Sequence, residues 1–308
     1  MSDVRPGPLV PDGRPDPVSP PATRAERRVL RQMDRAARSA GRRSGPSLVP
    51  PALRTVLSLA VLAGLVAAGS VVLDVGPLRP RTWVEVDGRS FVVPDPLPAQ
   101  GRLRPAVVPT TEGSHAFLHL DDDGAPVGYD PCRPVRWVQR PDGAPQVGEA
   151  LVADAVASVA AASGLSFEYV GLTDEAPAAQ RELVQPDRYG EGWAPLLVAW
   201  ADAVEMPELA GEVAGVGGSA AVPGADGSGT WLVGGRVVLD SDDLTAMLAR
   251  EDGYAQARAI VMHELAHAIG LDHVADTREL MHPQTAARTT FGSGDLQGLA
   301  LVGASACE

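Results

Sequence analysis

The sequence predicts an α+β domain preceded by a single transmembrane helix. Three observations predict it. Thr55 to Leu73 is an uncharged run. Strand-like and helix-like segments succeed one another between residues 135 and 240. A further helical segment around residue 263 is halted by Gly270, since a left-handed C-terminal residue carries no steric cost when it is glycine. The 308 residues suffice for one or two domains.

Charge divides the chain. Residues 1–54 carry eleven Arg against five acids, a net of +6, and the remainder carries a net of −19; lysine is absent throughout. The acidic C-terminal part argues against nucleic-acid binding. Residues 1–24 are rich in Pro, Gly and Asp and read as disordered. Arg24, Arg27, Arg28, Arg31, Arg35 and Arg38 recur at helical intervals. They suit either a basic helix on anionic headgroups or an unstructured juxtamembrane tail. Alanine-, glycine-, proline- and arginine-rich composition is consistent with a GC-rich bacterial genome.

The nineteen residues from Thr55 to Leu73, broken only by Ser58, Gly64, Gly69 and Ser70, nearly span a hydrocarbon core of about 30 Å at about 1.5 Å per residue. Arg42, Arg43 and Arg54 precede the run and Asp74 follows it. The positive-inside rule therefore places residues 1–54 in the cytoplasm and the rest outside, with the bilayer as partner. A cleaved signal peptide and a buried core helix are the competing readings, but the long leader and long apolar run, with no amphipathic pattern, favour an uncleaved anchor.

Residues 74–110 contain Pro77, Pro80, Pro94, Pro96, Pro98, Pro105 and Pro109 and read as a semi-rigid stalk or pro-segment. Within it, Trp83 to Val93 alternates well enough for a hairpin around Asp87-Gly88. A folded domain is expected over residues 111–308. Val135 to Gln139 suits a first strand, and Glu149 to Ser163 a helix stopped by Gly164. Leu165 to Leu172, Pro195 to Trp200 and Arg236 to Asp240 suit further strands. Glu212 to Val222 reads as a Gly-interrupted, edge-like segment.

Residues 263–273 read His-Glu-Leu-Ala-His-Ala-Ile-Gly-Leu-Asp-His, the order H-E-x-x-H-x-x-G-x-x-H. On a helix, His263 and His267 stand one turn apart on one face and can meet one zinc ion at about 2.0–2.1 Å. Glu264 is rotated about 100° around the helix, so it leans over the metal and can take a proton from water. Gly270 turns the chain and returns His273 as a third ligand. Three protein ligands leave a fourth position open, as in catalytic rather than structural zinc sites. Three of the six histidines fall in this window. His115 and His119 read as packing or solvated residues.

This pattern resembles the matrixin-type metzincins, zinc endopeptidases of zincin-like fold. Glu279-Leu280-Met281-His282-Pro283 resembles their methionine turn, with Met281 as structural support under the metal. Gly294 to Leu299 resembles their last helix, with Asp295 read as its N-cap. The likeness covers roughly residues 130–308 and is strongest over the final fifty. It implies a twisted mixed β-sheet, an active-site helix and a C-terminal helix. It further implies one catalytic Zn2+, Glu264 as general base, and a peptide or protein substrate that adds as a strand along Gly215 to Val222. Three departures stand out. There is no Pro-Arg-Cys-Gly cysteine switch, His282 stands where tyrosine is common, and no tyrosine follows the motif. His282 reads as a solvated loop residue or a specificity-pocket wall. Asp121-Asp122-Asp123 reads as a calcium loop, as in related enzymes, or as a plain turn before Gly124; the composition favours the turn.

Cys132 and Cys307 are the only cysteines. Outside a membrane they can form a persistent disulfide, tying the first strand of the domain to the chain terminus; two unpaired buried thiols are the other possibility. The expectation assembled from all of this is a bacterial, membrane-anchored, extracytoplasmic zinc endopeptidase of open oligomeric state. A zinc-binding surface protein without peptidase activity is the alternative.

Overall fold

The computed structural model describes residues 82–86, 88–95, 99, 101–225, 229–284 and 288–307, with Ala60, Val61 and Leu65 upstream. The expected basic tail lies outside these residues. So does the expected membrane span, apart from Ala60, Val61 and Leu65, which are helical. No helix among the described residues is long and apolar enough to cross a membrane.

The chain opens with an antiparallel hairpin, β1 (Trp83–Val86) and β2 (Arg89–Val92), turning at Gly88, which takes a left-handed φ of 74°. A two-residue strand β3 (Ala116–Phe117) follows, then β4 (Val135–Gln139), α1 (Gly148–Ser163) and β5 (Phe167–Leu172). Gly164 ends α1 with φ 72°, and its N–H donates to Ala160 O. A single turn α2 (Pro186–Tyr189) leads to β6 (Leu196–Ala201), β7 (Gly215–Pro223) and β8 (Thr230–Asp240). Then come α3 (Ser241–Leu248), α4 (Gly253–Ala268), β9 (Leu271–Asp272) and α5 (Ser293–Val302).

Five strands form one mixed sheet in the order β5-β4-β6-β8-β7. β5, β4, β6 and β8 are parallel, and β7 runs antiparallel to β8 at the edge. Alternation sorts the side chains. Val135, Trp137, Leu196, Val198, Trp200, Val237 and Leu239 point to the face covered by α1, α4 and α5 and build the main core with them. α4 has apolar or small residues on nearly every side and is correspondingly buried.

The α+β class and the mixed sheet agree with expectation, and three local differences have physical reasons. β8 begins at Thr230 rather than Arg236, because Gly234 and Gly235 interrupt the apolar pattern without breaking the strand; Arg181 Nη1 donates to both their carbonyls, at 3.1 and 3.0 Å. α3 was not anticipated, although Asp240 caps it by accepting from Asp243 N–H at 2.8 Å. The hairpin expected in a stalk instead buries Phe91 against Leu183, Val222 and Val233. Pro80–Glu308 accordingly forms one compact unit. Residues 101–107 also lie on it, with Arg104 Nη1 donating to Ala160 O and Leu165 O at 3.4 and 3.3 Å.

A Cys132–Cys307 disulfide, with Cα atoms 5.5 Å apart, closes 175 residues of sequence. Cys132 sits in the turn before β4 rather than in the strand, with its N–H donating to Asp130 Oδ1 at 2.9 Å.

Candidate metal centre and active site

α4 carries the first two histidines one turn apart, and Gly270, at φ 121°, turns the chain away from the helix. A side chain at 270 would meet Val127 O at 2.8 Å, so both conformation and space require glycine. The returning residues form β9, paired antiparallel with β3 (Ala116↔Asp272, Phe117↔Leu271), and Leu118 N–H donates to Gly270 O at 3.0 Å. This small ladder, too short to show a period in sequence, delivers His273 beside the helix.

The three Nε2 atoms then converge. His263 and His267 are 3.0 Å apart, His267 and His273 3.0 Å, and His263 and His273 3.1 Å. Neighbouring ligands of a tetrahedral ion at about 2.05 Å stand about 3.3 Å apart, within a few tenths of this triangle. The far sides of two rings are tied down. His263 Nδ1 donates to Leu280 O at 2.7 Å and His267 Nδ1 to Leu271 O at 2.8 Å. Carbonyls only accept, so these bonds place the ring protons on Nδ1 and leave bare lone pairs on Nε2. Lone pairs facing one another at such distances repel unless a cation lies between them, so the donor set fits zinc. Burial, reinforced by the neighbouring imidazole, pushes His263 down to about 3; burial pushes His267 down to about 4 and lowers His273. All three are neutral, ligand-ready imidazoles at pH 7.

Glu264 is 7 % exposed, and its side chain makes no hydrogen bond among the described residues. Burial pushes its carboxyl up to about 8. It borders a cleft of about 510 Å³ also walled by the three histidines, Leu118, Val213, Ala214 and residues 215–217 of the edge strand. The strand lies this close because of its small residues. A Cβ at Gly215 would meet Glu264 Cγ at 2.8 Å, and one at Gly217 would meet Glu264 O at 2.1 Å. Ser219 Oγ, two residues on, donates to Ala268 O at 2.6 Å.

Met281, next to the Leu280 whose carbonyl holds the His263 ring, is 1 % exposed within the core. Its turn is held by Asp295, whose carboxylate accepts from Leu280 N–H, from Met281 N–H at 3.2 Å and from Gly292 N–H at 2.7 Å. Asp295 is therefore not the N-cap of α5, which is Gly292; it sits in the first turn and reaches back. Glu279 Oε2 accepts from Gly294 and Asp295 N–H at 2.9 and 3.1 Å and so covers the same helix start. Sequence reasoning missed the role of Glu279. Burial raises the Asp295 carboxyl.

Residues 210–300 match the family model of the matrixins, a span that contains β7, the histidine triad, Met281 and Asp295. The domain is a matrixin-like metzincin. As such it is a metallopeptidase of a zinc-binding family. No curated protein matches the chain.

Other expected residues of this matrixin-like domain fall as follows. His282 lines the cleft, with its Nδ1 accepting from Gln284 N–H at 3.2 Å, so it belongs to the wall. No tyrosine among the described residues lines the cleft. His115 contacts Phe117 edge-on and lies outside the triad, as does His119. Asp121 Oδ1 accepts from Asp123 and Ala125 N–H at 3.0 and 2.8 Å, the geometry of a plain turn, and nothing supports calcium.

Proposed function

We propose that this chain is a zinc endopeptidase, anchored in a membrane by residues 55–73, with its catalytic domain on the outer side. The triangle of three Nε2 atoms 3.0–3.1 Å apart, beside a buried carboxylate in an open cleft, carries the catalytic part of this reading. The uncharged run and the arginines before it carry the anchoring.

His263, His267 and His273 would hold one zinc and leave a fourth position facing the cleft. Zinc bound there would polarise the scissile carbonyl and lower the pKa of a coordinated water towards about 7. Glu264 takes the proton from the attacking water and passes it to the leaving amine nitrogen. Among the described residues, β7 pairs with a strand on one side only. A substrate in extended form adds to its free edge, where main-chain bonds bind any sequence and align the peptide bond with the histidines. Met281, buried in the core beside Leu280, would support the turn whose carbonyl holds the His263 ring.

The test is metal analysis of the purified protein together with cleavage of casein or a fluorogenic peptide. Wild type should contain about one zinc per chain, lose activity with a chelator and regain it with zinc. Glu264→Gln should keep the zinc and lose at least about two orders of magnitude in turnover. Near-normal cleavage by that variant would overturn the assignment of the base. Zinc uptake with no cleavage by wild type would favour the surface-binding alternative.

A further inference from the structure

A second cavity, of about 450 Å³, shares no wall residue with the histidine cleft. It opens where β4 and β6 begin; the rings of Tyr129, Tyr189, Trp193, Trp231, Pro134 and Pro195 line it, together with aliphatic residues and, among its charged residues, Asp130, Arg133, Arg136 and Glu191. Collapsed cores do not leave such surface open, because apolar area in contact with water costs about 25 cal/mol per Å². Here the rings are held apart. Tyr189 O–H donates to Glu175 Oε2 at 2.7 Å and lies 2.8 Å from Thr173 Oγ1. Glu175 is in turn gripped through both oxygens by Arg181 at 2.7 Å, and Arg181 reaches on to the carbonyl of Gly234 in the cavity wall. On the other side, Gly235 N–H donates to Tyr129 OH at 3.3 Å, and Tyr129 OH lies 2.8 Å from Ser219 Oγ. Both hydroxyls are thus engaged with the protein, so these tyrosines present ring surface to the cavity. Glu175 and Arg181 are each less than 9 % exposed. Such a pair adds little stability over apolar packing, but it does fix ring positions.

We propose that this cavity is a second binding site, taking a small apolar ligand that carries a flat ring. Offset or edge-on contact with four aromatic walls suits such a ring, and a preformed apolar pocket of this size suits a small molecule. The site uses none of the groups assigned to peptide cleavage and stands whether or not that assignment holds.

The probe is 1-anilinonaphthalene-8-sulfonate, titrated into the folded full-length protein and followed by dye emission excited through tryptophan. Wild type should show one saturable site, unchanged by a chelator or by Glu264→Gln. Trp193→Ala removes a wall and should weaken binding at least tenfold. Gly192→Trp should block the site without unfolding the protein, because a Cβ there meets nothing within 4 Å; a urea midpoint within error of wild type checks this. Absence of saturable binding, or binding at wild-type affinity in both variants, overturns the proposal.

Discussion

Ser219 Oγ donates a 2.6 Å hydrogen bond to Ala268 O, so the edge strand covers a carbonyl at the end of the active-site helix. The register is physical. Two strand residues advance about 6.7 Å and four helix residues about 6 Å, so Gly217 falls over Glu264 and Ser219 over Ala268. Because Ser219 commits its proton to Ala268, Tyr129 donates to Ser219 and receives from Gly235 N–H. The strand that borders the cleft is thereby pinned to the helix that bears the histidines.

Ser219→Ala leaves Ala268 O and Tyr129 OH without this partner. A loss of about 1–3 kcal/mol in urea unfolding is expected. Stability equal to wild type would show that water replaces the serine.

Asp295 acts on the metal centre from a distance. It fixes Leu280 and Met281 N–H, and Leu280 O fixes the His263 ring. Asp295→Ala removes the acceptor for three buried amides and should cost at least about 3 kcal/mol. Competition with a chromogenic chelator should show zinc affinity reduced about 10–100-fold, the range seen when a ligand's supporting partner is lost. An unchanged affinity would separate the turn from the metal.

Acid sensitivity should track Glu175. Burial alone would raise its carboxyl, but the Arg181 hydrogen bonds and charge, with Gln185 and Tyr189, outweigh burial and hold it below the ordinary value. A depressed carboxyl stabilises the fold above its unfolded pKa of about 4.5, and that contribution is lost as pH falls through the folded value. Wild type should therefore lose stability on acidification below about pH 5 more steeply than Glu175→Gln. Parallel pH profiles of thermal unfolding would refute this.

The disulfide supplies a fourth expectation. Cys307→Ser opens a closure of 175 residues and should cost about 2–5 kcal/mol. Guanidinium unfolding of the variant beside wild type, both unreduced, measures it; a smaller difference would mean that Arg102, which bonds Gly303 and Ser305 carbonyls, already holds the terminus.

Much of the site was legible because its information is local. His263 and His267 lie one helical turn apart, and Gly270 announces the turn that brings back His273. The parallel strands and α1 were legible from short apolar runs and from Gly164. β3 and β9 were not, since two residues carry no period. α3 escaped although its capping aspartate was present. The full length of β8 was hidden by Gly234 and Gly235, whose carbonyls are satisfied by Arg181, a residue 53 and 54 positions away.

By itself, then, the sequence determined that His263, His267 and Glu264 share one end of a helix, because helical spacing places those groups whatever surrounds them; the β3–β9 ladder is what brings His273 to them. Only the tertiary structure decided which nitrogens of the His263 and His267 rings converge, through the Leu280 and Leu271 carbonyls. It alone decided how closely β7 approaches Glu264, and that aromatic residues from three separate stretches of the chain line a second cavity. Those outcomes depend on contacts between distant segments, and such contacts leave no periodic trace along a chain.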